Sequence, residues 1–67
     1  NANPFEDLSK REFEIAKLLL SGLTLTEISQ QLNIQTSTVG THKHRLFEKL
    51  KVNNLLELKD LSNSYKI

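Results

Sequence analysis

"TLTEISQQLNIQTSTVGTHKHRLFEKL", Thr24 to Leu50, holds two helical patterns separated by a pause at Asn33-Ile34-Gln35, and that pause decides the fold. The first pattern opens on Thr24, a good N-cap, with Glu27 three residues on to complete a capping box. Leu25, Ile28 and Leu32 share its inner face, so it is a helix of two turns. Asn33 tolerates the left-handed conformation that ends a helix, which lets Ile34 plug the core from a tight turn. The second pattern begins near Thr36 or Ser37, either of which supplies an N-cap hydroxyl, and runs to about Lys51. At 100° per residue Val39, His42, Leu46 and Leu50 fall within a narrow inward arc. A short helix, a tight turn and a longer helix make a helix-turn-helix.

Two further helices flank this pair. Ser9 with Glu12 forms another capping box, Leu8 precedes it as a staple to Phe13, and Gly22 is a natural stop. Ile15, Ala16, Leu18, Leu19 and Leu20 carry the inner face between them. The last helix opens at Asn54, with Glu57 three residues later, carries Leu55, Leu56, Leu58 and Leu61, and dissolves into "SNSYKI". No segment alternates with period two, so the expected fold is all-α: a four-helix domain whose second and third helices form the helix-turn-helix. Residues 1–7 read as linker or expression remnant, 8–62 as the domain and 63–67 as a C-terminal tail.

Sixty-seven residues without cysteine allow one domain with a small core and no disulfide or thiolate metal site; such a chain buries roughly 60% of its unfolded surface. No apolar run nears the roughly 20 residues of a bilayer span, and the N-terminus lacks a signal peptide's pattern, so a cytoplasmic setting is expected. The net charge of +1 is unevenly spread. Residues 1–32 carry three cations against five acids, a net of −2, whereas residues 33–52 carry Lys43, Arg45, Lys49 and Lys51 against Glu48 alone, a net of +3. A local basic stretch in a nearly neutral domain points to a polyanion.

The outward face of the third helix gives that stretch a use. Ser37, Thr41, His44, Arg45 and Glu48 lie within about 60° of the side opposite Val39, with Gly40 at its edge. Small residues near the helix start permit close approach to base edges; His44 and Arg45 then reach bases or phosphates, while Lys43, Lys49 and Lys51 flank them. This is how a recognition helix enters the major groove. Thr36, Ser37, Thr38, Gly40, Thr41, Lys43, His44, Arg45, Lys49 and Lys51 are therefore the candidate DNA contacts.

"LSKRE", "SGLTLTEISQQLNI", "STVGTH" and "LFEKLKV" stand in the order and spacing of one family: over about residues 8 to 61 the chain resembles the LuxR/FixJ/NarL-type helix-turn-helix. That resemblance implies the effector domain of a bacterial transcription regulator, binding specific double-stranded DNA as a weak dimer through its fourth helix. Leu55, Glu57, Leu58 and Leu61 become the candidate dimer seam, and an upstream receiver or ligand-sensing domain and RNA polymerase become expected partners. The chain departs from the family's pattern at Gln35, where Ser is usual, at Gly40, where Lys is frequent, at Leu25-Thr26 in place of Asn-Lys, at Lys51 in place of a small Gly or Asn, and at Leu55 in place of Arg.

Other readings fare worse. His42 and His44 point roughly 200° apart on a helix and cannot share a metal ion. His42 is expected at the core edge with one ring nitrogen hydrogen-bonded, and Glu12 as a cap and the partner of a distant cation. No cofactor is implied, and no set of acid, base and nucleophile suggests an enzyme. The rival is a protein-interaction module, docking to RNA polymerase or a receiver domain through Phe13, Leu20, Leu25, Leu55 and Leu56 and binding DNA only weakly.

Overall fold

In a computed structural model, residues 3–66 are described; Asn1 and Ala2, of the stretch read as linker or expression remnant, and Ile67 of the tail lie outside them. A 3-10 helix at Pro4–Asp7 leads into α1 (Lys10–Leu20), α2 (Leu25–Leu32), α3 (Thr36–Leu50) and α4 (Leu55–Tyr65), with no strand among the described residues. The domain measures 34 × 20 × 18 Å. No helix among the described residues is long and apolar enough to cross a membrane.

The helix starts follow from hydroxyl and amide caps. Ser9 Oγ accepts from the Glu12 amide at 3.2 Å while Glu12 Oε1 accepts from the Ser9 amide at 2.9 Å. Thr24 and Glu27 repeat the arrangement at 3.2 and 2.8 Å. At α4 the Asn54 side chain accepts from the Glu57 amide, but Glu57 reaches back one residue further, to the amide of Asn53.

Three helix ends share one geometry. Gly22 (φ 94°), Asn33 (φ 58°) and Lys51 (φ 58°) are left-handed. In each case the next amide turns back to the helix: Leu23 donates to Leu18 O, Ile34 to Ser29 O and Val52 to Phe47 O, at 3.0–3.2 Å. Leu23, Ile34 and Val52 then pack half-buried on the core, so each stop also anchors the chain. Ile34 is the plug expected from the sequence.

The core comprises Phe5, Ile15, Ala16, Leu19, Ile28, Val39, Leu46, Leu50 and Leu58. Helix α3 packs against α1, α2 and the 3-10 helix, and α4 against α1. Full burial of each large aliphatic stabilises by about 1.5–3 kcal/mol, so the fold rests on a handful of side chains.

The sequence reading needs correction at both ends. Residues 1–7 read in sequence as linker or expression remnant, yet Pro4 starts a capped 3-10 helix whose Phe5 is buried in the core. Nor are residues 63–65 a free tail, because α4 continues to Tyr65 and sets the Tyr65 ring edge-on to Phe5 at 6.4 Å. The N-cap of α3 is Gln35, with no side-chain cap bond, rather than Thr36 or Ser37. Finally, Leu58 is fully buried. It holds α4 to its own domain and has no surface to offer a partner.

Candidate nucleic-acid interface

Helix α3 is fixed from behind before anything is presented in front. Val39 and Leu46 are fully buried and Leu50 nearly so, which sets the rotation of the helix. The turn is tied by Thr36 Oγ1, which donates to Ser29 Oγ at 3.2 Å, while buried Ser29 donates its own proton to Thr26 O at 2.7 Å. This chain of hydroxyls links α2 to the first residue of α3. Thr36 therefore positions the motif, its proton already engaged.

Ser37, Thr38, Thr41, His44 and Arg45 are exposed along the helix, with Gly40 half-buried among them. A Cβ built on Gly40 meets nothing within 4 Å, so its own domain does not require a glycine there. Thr41 Oγ1 donates to Ser37 O at 3.1 Å, which takes the hydroxyl proton out of play for base reading. No side chain caps α3; Thr38 and Val39 donate their amides to Gln35 O at 3.0 and 3.1 Å, which leaves the Thr36 and Ser37 amides for an outside acceptor.

The cations divide into two groups. Lys49 Nζ lies 2.8 Å from Glu12 Oε1 and 3.4 Å from Asp7 O, so its charge is committed inside the fold. Lys49 is the cation expected to pair with Glu12, and that pairing competes with a phosphate for its ammonium. Its ammonium hydrogen bond, and next the Ser9 amide, hold the Glu12 carboxyl below the usual glutamate range against the opposing effect of burial. Lys43 is half-buried with its ammonium 5.4 Å over the Phe47 ring, at the flank of the reading face. Arg45 and Lys51 are exposed, and neither forms an ion pair among the described residues. Lys51 sits at the left-handed helix end.

Sequence reasoning passed over Glu48. It was placed on the outward face but not among the candidate contacts; its carboxylate lies 3.5 Å from His44 Nε2. The i,i+4 spacing was the available signal. His42 is half-buried, but its buried Nδ1 has no protein partner among the described residues, so the expected hydrogen bond there is absent. No group of three or more metal-binding side chains comes together among the described residues.

On α4, Leu55 and Leu56 are exposed, at 38% and 69%, and Glu57 is exposed beside them, while Leu61 is half-buried against the core. Phe13, Leu20 and Leu25, invoked for a protein-docking surface, also pack half-buried on the core.

Comparison with known proteins agrees with this architecture. Residues 6–62 match the family described as bacterial regulatory proteins, luxR family. The response regulator UvrY of Escherichia coli strain K12 is 38% identical over 60 residues, covering 90% of this chain and 28% of its own. The response regulator GacA of Pseudomonas aeruginosa is 38% identical over 56 residues, covering 84% and 26%. The Fimbriae Z protein of Escherichia coli strain K12 is 34% identical over 67 residues, covering 100% and 32%. The chain thus spans about a third or less of each relative's length, and no solved structure matches it. With a family match that takes in the helix-turn-helix and nearly all of its supporting core, the chain belongs to the luxR family of bacterial regulatory proteins.

Proposed function

We infer that this chain is the DNA-binding part of a bacterial transcription regulator, reading specific double-stranded sequence with α3 in the major groove. The observation that carries this is the division of α3 itself. Val39, Leu46 and Leu50 are buried, and the other side presents Ser37, Thr41, His44 and Arg45 from a helix whose first two amides have no cap. Small residues first and cations later suit a helix that enters the groove by its N-terminal end. Arg45 is the candidate base reader; Lys43 and Lys51 reach the phosphate walls.

Two protomers act together on DNA through the exposed start of α4, where Leu55 and Leu56 form the apolar part of the seam and Glu57 and Leu61 its border. Two exposed leucines cannot bury the roughly 1,200 Å² of a stable interface, so the dimer forms on DNA. The relatives named as response regulators support an upstream receiver domain as the source of the signal in the whole protein. Core packing of Phe13, Leu20 and Leu25 weighs against the interaction-module alternative, since it withdraws most of the apolar surface that reading requires.

The test is a titration of duplex DNA at several salt concentrations. Each neutralised phosphate contributes about −0.9 to the slope of log K against log salt, and Lys43, Arg45 and Lys51 give an expected slope of about −2 to −3 per domain. A slope near zero, or equal affinity for every duplex and for heparin, would sink the reading.

A further inference from the structure

The outward face of α3 carries a single acid. Glu48 stands one turn after His44, with 3.5 Å between Oε2 and Nε2, and the two side chains are 68% and 74% exposed. Neither packs in the core. An exposed i,i+4 pair adds little to the stability of a helix, which is a poor return for placing a carboxylate on the face turned toward a polyanion.

Resting on the DNA-binding reading above, we propose that Glu48 is a positioning residue for DNA affinity that acts through His44, making the docking of α3 conditional on a proton carried by that imidazole. The pair has two charge states. With His44 neutral it presents a net negative charge to the phosphates; with His44 protonated it is neutral overall. The protonated ring also donates from both nitrogens, so one N–H faces Glu48 and the other is left for a phosphate or base acceptor. DNA therefore binds the protonated form more tightly, and by reciprocity docking draws a proton onto the domain. Removal of water from the interface strengthens the effect, because screening that softens the charge on Glu48 in the free domain is lost.

The surroundings leave the pair to set this behaviour. Among the described residues no carboxylate of the 3-10 helix, α1, α2 or α4 comes within 4.0 Å of His44. Its cationic sequence neighbours are Lys43, whose ammonium lies 5.4 Å over the Phe47 ring, and Arg45, and neither lysine nor arginine as a side-chain type changes charge between about pH 6 and pH 8. Histidine alone among ordinary side chains changes charge between pH 5 and 8.

The experiment measures duplex DNA affinity from about pH 6 to about pH 8 for the unaltered chain, Glu48→Gln, His44→Gln and the double variant, with circular dichroism to verify folding. The duplex is one selected from a random pool with this domain at about pH 6. The unaltered chain should lose several-fold in affinity across the range, with a ceiling of about tenfold per pH unit per domain for one proton. Glu48→Gln should bind several-fold more tightly at the upper end and show a shallower profile. His44→Gln should be flat and weak, and the double variant flat and stronger than His44→Gln. A Glu48→Gln profile parallel to that of the unaltered chain overturns the proposal, as does a pH dependence that survives in His44→Gln and so belongs to another group. Salt-dependent binding that is the same at both pH extremes overturns it while leaving the DNA-binding reading intact; no binding of any duplex at any pH overturns both.

Discussion

Lys51 ends α3 at φ 58°, a conformation costing an ordinary side chain roughly 1 kcal/mol and glycine almost nothing. Lys51→Gly should accordingly raise the unfolding free energy by about 0.5–1 kcal/mol, measured by urea titration, with the greater freedom of unfolded glycine offsetting part of the gain. If the lysine is kept for a phosphate, the same variant loses about 0.9 from the salt slope of DNA binding. An unchanged slope would remove Lys51 from the interface. Gly40 poses the reverse question, for it costs a helix about 1 kcal/mol relative to alanine although its Cβ position is open. Gly40→Ala is expected to raise the thermal midpoint while weakening binding to the preferred duplex, because the added methyl holds the helix off the groove. Stabilisation with undiminished affinity would mean that the glycine reads nothing.

At the scale of elements, Glu12 joins the cap of α1 to the far end of α3. Its carboxylate accepts from the Ser9 amide and from Lys49, so the bridge closes the helix start and the interhelical contact at one oxygen. A carboxyl held below its ordinary value of about 4.5 stabilises the fold fully above that pH, and the contribution is lost as pH falls through the depressed value. Acid titration of unfolding free energy should therefore show a limb below about pH 4.5 that Glu12→Gln flattens. Lys49→Met should cost about 1–2 kcal/mol, less than for a wholly buried pair because the lysine side chain is half in solvent. Its effect on DNA affinity should be small once the folded fraction is allowed for; a full unit lost from the salt slope would restore Lys49 to the interface. These elements also show what the sequence made legible. Caps and stops are local, so Ser9, Thr24, Asn54, Gly22 and Asn33 could be read from neighbouring residues, as could the buried arc of α3 apart from the orphaned Nδ1 of His42. The destination of Lys49 depends on a residue 37 positions away, and a charge on a helical wheel does not reveal which partner takes it. Leu58 failed for the same reason: a leucine on the last helix looks alike whether it faces α1 or a second copy.

For the molecule as a whole, the first and last described elements meet. Phe5 is buried in the core and meets the Tyr65 ring edge-on, so Phe5, read in sequence as linker, and Tyr65, read as tail, belong to one packed unit. At about 0.05–0.15 kcal/mol per residue the domain has roughly 3–10 kcal/mol of stability. Phe5→Ala, at about 3–5 kcal/mol, should bring it close to unfolding at room temperature, which near- and far-ultraviolet circular dichroism would report. A variant as stable as the parent would return Pro4–Asp7 to the status of linker. On DNA with two half-sites a helical turn apart, two copies should bind cooperatively while the free chain sediments as a monomer. Replacing Leu56 by Asp should abolish the cooperativity and spare single-site binding; cooperativity that survives would move the seam off α4. The Glu12–Lys49 bridge has one more consequence, in time. Helices stopped and capped locally form early, whereas a bridge between residues so distant in sequence requires α1 and α3 to have docked. Stopped-flow measurements on Lys49→Met should then show faster unfolding with nearly unchanged refolding, making this ion pair a latch on the native state whose release rate, more than its closing rate, sets how long the domain stays folded.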